Sequence, residues 1–221
     1  MSVGKTDAVL GRKVNEHLIK LGLHTPVNLS RLNLDESYKL QEIEHYMTKV
    51  LETLGLDLND DSLKETPKRM SKMFVKELYW GLDTDLFPKI TTIENKMKYD
   101  EMLIEKNIAV MSACEHHGVT IDGVAHVAYI PKNKVIGLSK LNRVVNYFSR
   151  RPQVQERLTS QIFETFKYIL ETEDVAIVID AVHYCVKSRG IQDQNSHTIT
   201  SALGGVFKEG PVRAEFITLV R

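Results

Sequence analysis

Val175-Ala176-Ile177-Val178-Ile179-Asp180-Ala181-Val182-His183-Tyr184-Cys185-Val186 is the clearest strand in the chain. It is rich in β-branched residues and free of Gly and Pro. Residues two apart in a strand point the same way, so His183 and Cys185 are expected on one face. Upstream, Pro152 opens a helix over 153–170 with Val154, Leu158, Ile162, Phe166 and Ile169 inward. A helix over 139–150 precedes it, apolar at Leu141, Val144, Val145 and Phe148. Further upstream, 98–113 and 119–130 read as strands, with Asp122-Gly123 marking a turn or bulge in the second. Downstream, 197–207 reads as a returning strand and 211–220 as a closing helix.

The beginning of the chain has a different period. Residues 5–22 place Val9, Leu10, Val14, Leu18 and Leu21 on one helical stripe, stopped at Gly22. Leu40, Ile43, Met47, Val50, Leu51 and Leu54 predict a second helix, closed by Gly55. A capping-box pattern from Ser62 to Glu65 and the pair Thr66-Pro67 announce a third, ending at Gly81. Strand runs around paired helices after an all-helical start predict an α+β fold. A helical region over 1–81 and a catalytic region over 82–221 are the expected divisions.

With 29 basic and 29 acidic residues the formal net charge is +0, so no global field attracts nucleic acid or membrane. Any anion site must therefore be a local cluster. No apolar run is long enough to span a membrane, and residues 1–7 lack a signal-peptide apolar region. Two cysteines in 221 residues argue for a reducing compartment, and the cytoplasm is expected.

Those cysteines carry the chemistry. Ser112-Ala113-Cys114-Glu115-His116-His117-Gly118-Val119 contains a C-x-x-H unit, Cys114 and His117, that one tight turn can present to a single metal ion. Cys185 is the only other cysteine. Two thiolates and an imidazole, with a fourth position left for water, is the pattern of a catalytic zinc site. Two buried free thiols are the alternative. His116 and His183 remain as imidazoles beside the metal, suited to proton transfer around an activated water. A basic group lies in Gly137-Leu138-Ser139-Lys140-Leu141-Asn142-Arg143, where Lys140 and Arg143 share a face at a helix start. Arg189, four residues past Cys185, could add a third cation. Gln155 and Glu156 in Arg151-Pro152-Gln153-Val154-Gln155-Glu156-Arg157 could serve the helix terminus or read a base edge.

Taken together, Cys114-Glu115-His116-His117, Tyr129-Ile130-Pro131, the segments 137–143 and 151–159, and His183-Tyr184-Cys185-Val186-Lys187-Ser188-Arg189-Gly190 resemble the GTP cyclohydrolase I family. The likeness runs from Glu65-Thr66-Pro67-Lys68-Arg69-Met70 to the C-terminus. It implies a tunnelling fold: an antiparallel sheet with paired helices that assembles into an oligomeric barrel, here a homodecamer of two pentamers. It also implies Zn2+ on Cys114, His117 and Cys185, with His116, His183 and Ser139 as catalytic residues. Gln155 and Glu156 would grip the guanine edge, and Ser139, Lys140, Arg143 and Arg189 would face the triphosphate. Arg69 and Glu115 would lie nearby at a subunit junction. The implied reaction opens GTP at carbon 8, releases formate and yields 7,8-dihydroneopterin triphosphate, the first step of tetrahydrofolate or pterin synthesis. Two positions depart from the pattern: Gly118 stands where relatives usually carry Phe or Leu, and Gln192 where many bacterial relatives have Arg. Two other readings stay open, a zinc-stabilised non-catalytic binding protein and a nitrile reductase of the same fold that uses a cysteine nucleophile.

Overall fold

Residues 5–221 are described by the structure, a computed structural model. Residues 1–4, the start of the expected helical region, lie outside the described residues. α1 (Ala8–Lys20) begins where the Asp7 carboxylate accepts the Leu10 N–H at 3.0 Å. Its buried Val14 and Leu18 join the same apolar core as the sheet. After α2 (Leu29–Leu32), α3 (Glu36–Thr53) packs on α4 (Thr66–Lys72), and the Ser71 hydroxyl donates to Leu40 O at 2.6 Å.

The expected capping box does not form. Asp60 accepts both the Ser62 N–H at 2.9 Å and its hydroxyl at 2.5 Å, so a local Asx turn takes the side chain that would cap. α4 then starts without a side-chain cap and runs into a π-helical turn, Met73–Leu78. That turn closes where the Tyr79 N–H donates to Phe74 O at 3.0 Å.

β1 (Thr92–Glu94) pairs antiparallel with β4 (Lys134–Ile136) as a small ribbon. The main sheet contains β2 (Leu103–Cys114), β3 (Thr120–Tyr129), β5 (Pro152–Gln153), β6 (Val175–His183) and β7 (Thr198–Leu203), in the order β5-β2-β3-β6-β7. Only the two-residue β5 is parallel to its neighbour. The irregularity expected at Asp122-Gly123 falls elsewhere, in β2 between Glu105 and Ile108, where Asn107 takes φ 56°. Gly123 stays in regular register between Val110 and Ala181. A Cβ there would stand 2.1 Å from Asp180 O, so glycine permits close backbone approach.

α5 (Leu138–Ser149) and α6 (Gln155–Leu170) cover one face of the sheet. Leu141, Val144 and Phe148 of α5 and Leu158, Ile162 and Phe166 of α6 meet Ile177, Ile179, Ile121 and Val127 there. Full burial of each such side chain contributes about 1.5–3 kcal/mol. On the other face Ala128, Ala176 and Val178 pack with Phe207 and with Phe216 of α8 (Gly210–Val220). β6 is thus covered on both sides along its first half, which is why its run is continuously apolar. β7 ends at Leu203 rather than continuing to 207, because Gly204 turns into a 3-10 turn, Gly205–Lys208. Among the described residues, no helix is long and apolar enough to cross a membrane.

β6 also ends earlier than expected. Its last pair with β3 is Ile121↔His183, and its pairing with β7 begins at Ala181↔Thr198. Beyond His183 no strand is available to pair with, so the chain closes a local helical turn, α7 (Tyr184–Lys187). Cys185 therefore sits on this turn, and the expectation that it shares a strand face with His183 is corrected.

Candidate metal centre

Cys114 is the last residue of β2 and is buried. The turn after it is tight: the Gly118 N–H donates to Cys114 O at 2.9 Å and the Cys114 N–H to Val119 O at 2.8 Å. Gly118 takes φ 67°, a conformation in which a side chain is strained, and the nearest atom to an added Cβ would be the Tyr79 hydroxyl at 3.9 Å. Glycine here is therefore matched to the backbone it occupies.

The turn brings His117 round to Cys114, and α7 delivers Cys185 to both. One ligand atom from each lies within 4.8 Å of the others, and this is the only such group of three or more among the described residues. Two sulfurs and one imidazole nitrogen at this separation fit a tetrahedral zinc ion with one position left over. Burial, and then a hydrogen bond with Cys114, pushes the Cys185 thiol up in the metal-free protein. Loss of a metal is thus accompanied by reprotonation.

The remaining expected residues divide into those the fold brings to this centre and those it does not. His116 stays exposed, its Nδ1 3.9 Å from Cys114 Sγ. Arg189 Nη1 donates to His117 Nε2 at 3.0 Å, so the third cation does stand at the metal turn. His183 Nε2 lies 2.7 Å from Gln155 Oε1 at the start of α6. Burial pushes the His183 imidazole down, opposed weakly by Glu156, so the neutral ring predominates at pH 7. Gln155 is 1% exposed, whereas Glu156 beside it is open to solvent.

Ser139, Lys140 and Arg143 lie elsewhere. Asn142, within that segment, donates to Glu105 Oε1 at 3.1 Å. Glu105 and Cys114 are at opposite ends of β2, nine residues apart, or about 30 Å at 3.3 Å per residue. Among the described residues, no side-chain hydrogen bond or ion pair links Ser139, Lys140 or Arg143 to the metal ligands. Arg69 is exposed on α4 and, among the described residues, makes no side-chain hydrogen bond or ion pair with either group.

Sequence reasoning left Arg157 without a role. Its guanidinium donates to both Glu115 oxygens, at 2.6 and 3.3 Å, across 42 residues of sequence. An acid directly after a metal ligand and an Arg in the first turns of a helix were the available signal. The Arg157 hydrogen bond holds the Glu115 carboxyl below its usual range. A depressed folded value contributes stability above the unfolded pKa of about 4.3, lost as pH falls through the folded value. Arg157→Met should destabilise the protein by about 1–3 kcal/mol at pH 7. Thermal unfolding should show that difference shrinking below about pH 4; a difference constant down to pH 2 would contradict the pairing.

An α+β fold that brings two thiols and an imidazole within reach of one metal ion, with His116 on the same turn and His183 two residues before Cys185, has the arrangement of a hydrolytic enzyme. The family signature of GTP cyclohydrolase I matches residues 43–221. The GTP cyclohydrolase 1 of Haemophilus ducreyi is 55% identical over 221 residues, covering 100% of this chain and 99% of that one. That of Aeromonas salmonicida is 58% identical over 197 residues and 89% of each chain, and that of Shewanella loihica 54% over 208 residues, 94% and 96%. This chain belongs to the GTP cyclohydrolase I family.

Proposed function

We propose that this enzyme of the GTP cyclohydrolase I family opens the imidazole ring of GTP at carbon 8, releases formate and forms 7,8-dihydroneopterin triphosphate. The observation that carries the proposal is the convergence of Cys114, His117 and Cys185 within 4.8 Å, beside Arg189 and two more imidazoles. A zinc ion bound there supplies a water whose pKa is lowered to about 7, a nucleophile available without strong base.

His183, half-buried and neutral, takes and returns a proton during ring opening. His116, exposed at the same turn, serves the opposite face of the reacting bond. Glu156, exposed in the first turn of α6, accepts from the guanine edge. Arg189, 3.0 Å from His117 at the metal turn, reads phosphate.

Ser139, Lys140 and Arg143 complete the triphosphate site from a neighbouring copy, a reading supported by Asn142 of the same segment bonding Glu105 at the end of β2 away from Cys114. The same reading closes the open edge of β7, where Ile199 is 67% exposed, against another subunit's sheet. A tunnelling-fold barrel, assembled as a homodecamer of two pentamers, provides both junctions, with Arg69 and Glu115 near them. The expected division between residues 1–81 and 82–221 then separates helices that serve assembly from the part that serves catalysis. The two free cysteines suit a reducing compartment and support a cytoplasmic enzyme.

Incubation of zinc-loaded protein with GTP should release one formate per GTP and build a fluorescent pterin after oxidation. Unchanged GTP under those conditions would overturn the proposal in favour of a non-catalytic binding protein.

A further inference from the structure

The carboxamide of Gln155 is committed on every side. Its Nε2 faces Ile179 O at 3.1 Å, Thr198 O at 2.8 Å and Thr200 Oγ1 at 3.1 Å. Thr200 Oγ1 also shares a proton with Thr159 Oγ1 at 2.7 Å, and the Thr159 hydroxyl is 2.9 Å from Gln155 O. Two of the three acceptors around Nε2 are backbone carbonyls, which cannot donate. Rotating the amide by 180° would set its own oxygen against both, in a site that is 1% exposed. The orientation is therefore fixed, with Oε1 turned to His183 Nε2 at 2.7 Å.

An amide oxygen only accepts, so His183 Nε2 must carry the proton. The strand geometry makes the meeting obligatory: Ile177, Ile179, Ala181 and His183 alternate onto the face that α6 covers, and Gln155 is the first residue of α6.

We infer that Gln155 is a positioning residue that sets the tautomer of His183, leaving Nδ1 as the ring atom that accepts and returns the proton. This deepens the proposed reaction and rests on it for the identity of the proton-transfer step. It also separates two roles that adjacent residues of one motif would otherwise share: Glu156 is free to meet a ligand, and Gln155 is not. The residue on the ring's other nitrogen decides which tautomer is present, as in metal sites and hydrolase triads.

The test uses full-length protein with ring-15N histidine and the variant Gln155→Met, which keeps the length of the side chain and removes both polar groups. In wild-type metal-free protein, two-bond 1H–15N spectra near neutral pH should show His183 with Nε2 protonated and Nδ1 bare. In Gln155→Met the signal should move towards a mixture of tautomers. With zinc restored, kcat for GTP should fall about tenfold or more, with KM and zinc content unchanged. Wild-type His183 protonated on Nδ1, or a variant with unchanged tautomer, would overturn the inference. So would a raised KM with unchanged kcat, which would return Gln155 to guanine binding. If Gln155→Met does not fold, Gln155→Asn serves the same spectroscopic readout: it keeps an amide but withdraws it from His183 by one methylene, and should also move the ring towards a mixture of tautomers. Absence of formate from wild-type protein would remove the reaction and leave the tautomer result standing.

Discussion

His117→Ala is expected to lose zinc and all measurable turnover together. The imidazole is one of three protein ligands, and removing it leaves two sulfurs on an otherwise open ion. Cys185→Ser should behave alike, because a serine hydroxyl remains protonated where a thiolate would bind. Neither change should unfold the chain: His117 is exposed and Cys185 lies on a one-turn helix outside the sheet. Atomic absorption should find well under one zinc per subunit in both variants. Full zinc with full activity in Cys185→Ser would show that the ligands are misassigned. The same proximity predicts that metal-free, oxidised protein links Cys114 to Cys185, and intact-mass measurement should find it two hydrogens lighter.

His183→Ala should separate metal from chemistry. The side chain meets Gln155, not the ligand group, so zinc content should stay at one per subunit. Loss of a positioned acid–base group typically costs 10²–10⁴-fold in kcat. Zinc titration alongside steady-state formate release checks both halves. A variant that loses zinc in proportion to activity would make His183 a support of the ligands.

Most of the frame was readable because its signals are local. The apolar run from Val175 identified β6, and the 3.6-residue spacing of Leu158, Ile162 and Phe166 identified α6. Cys114 and His117 could be paired from sequence because one turn joins them, and Cys185 because no other cysteine exists. What escaped depended on neighbours distant in sequence. The helical turn at Cys185 follows from β3 running out of partners at Ile121. Gly123 is required by Asp180 across the sheet, not by a local bulge. Glu115 and Arg157 are joined across 42 residues, and the commitment of Gln155 is made by carbonyls of β6 and β7.

X-ray absorption at the zinc edge of the purified, zinc-loaded protein tests the metal centre most directly. Two sulfurs at about 2.3 Å and two nitrogen or oxygen neighbours at about 2.0–2.1 Å are predicted, for Cys114, Cys185, His117 and one water. A shell with no sulfur, or one filled by four protein ligands with no place for water, would contradict it.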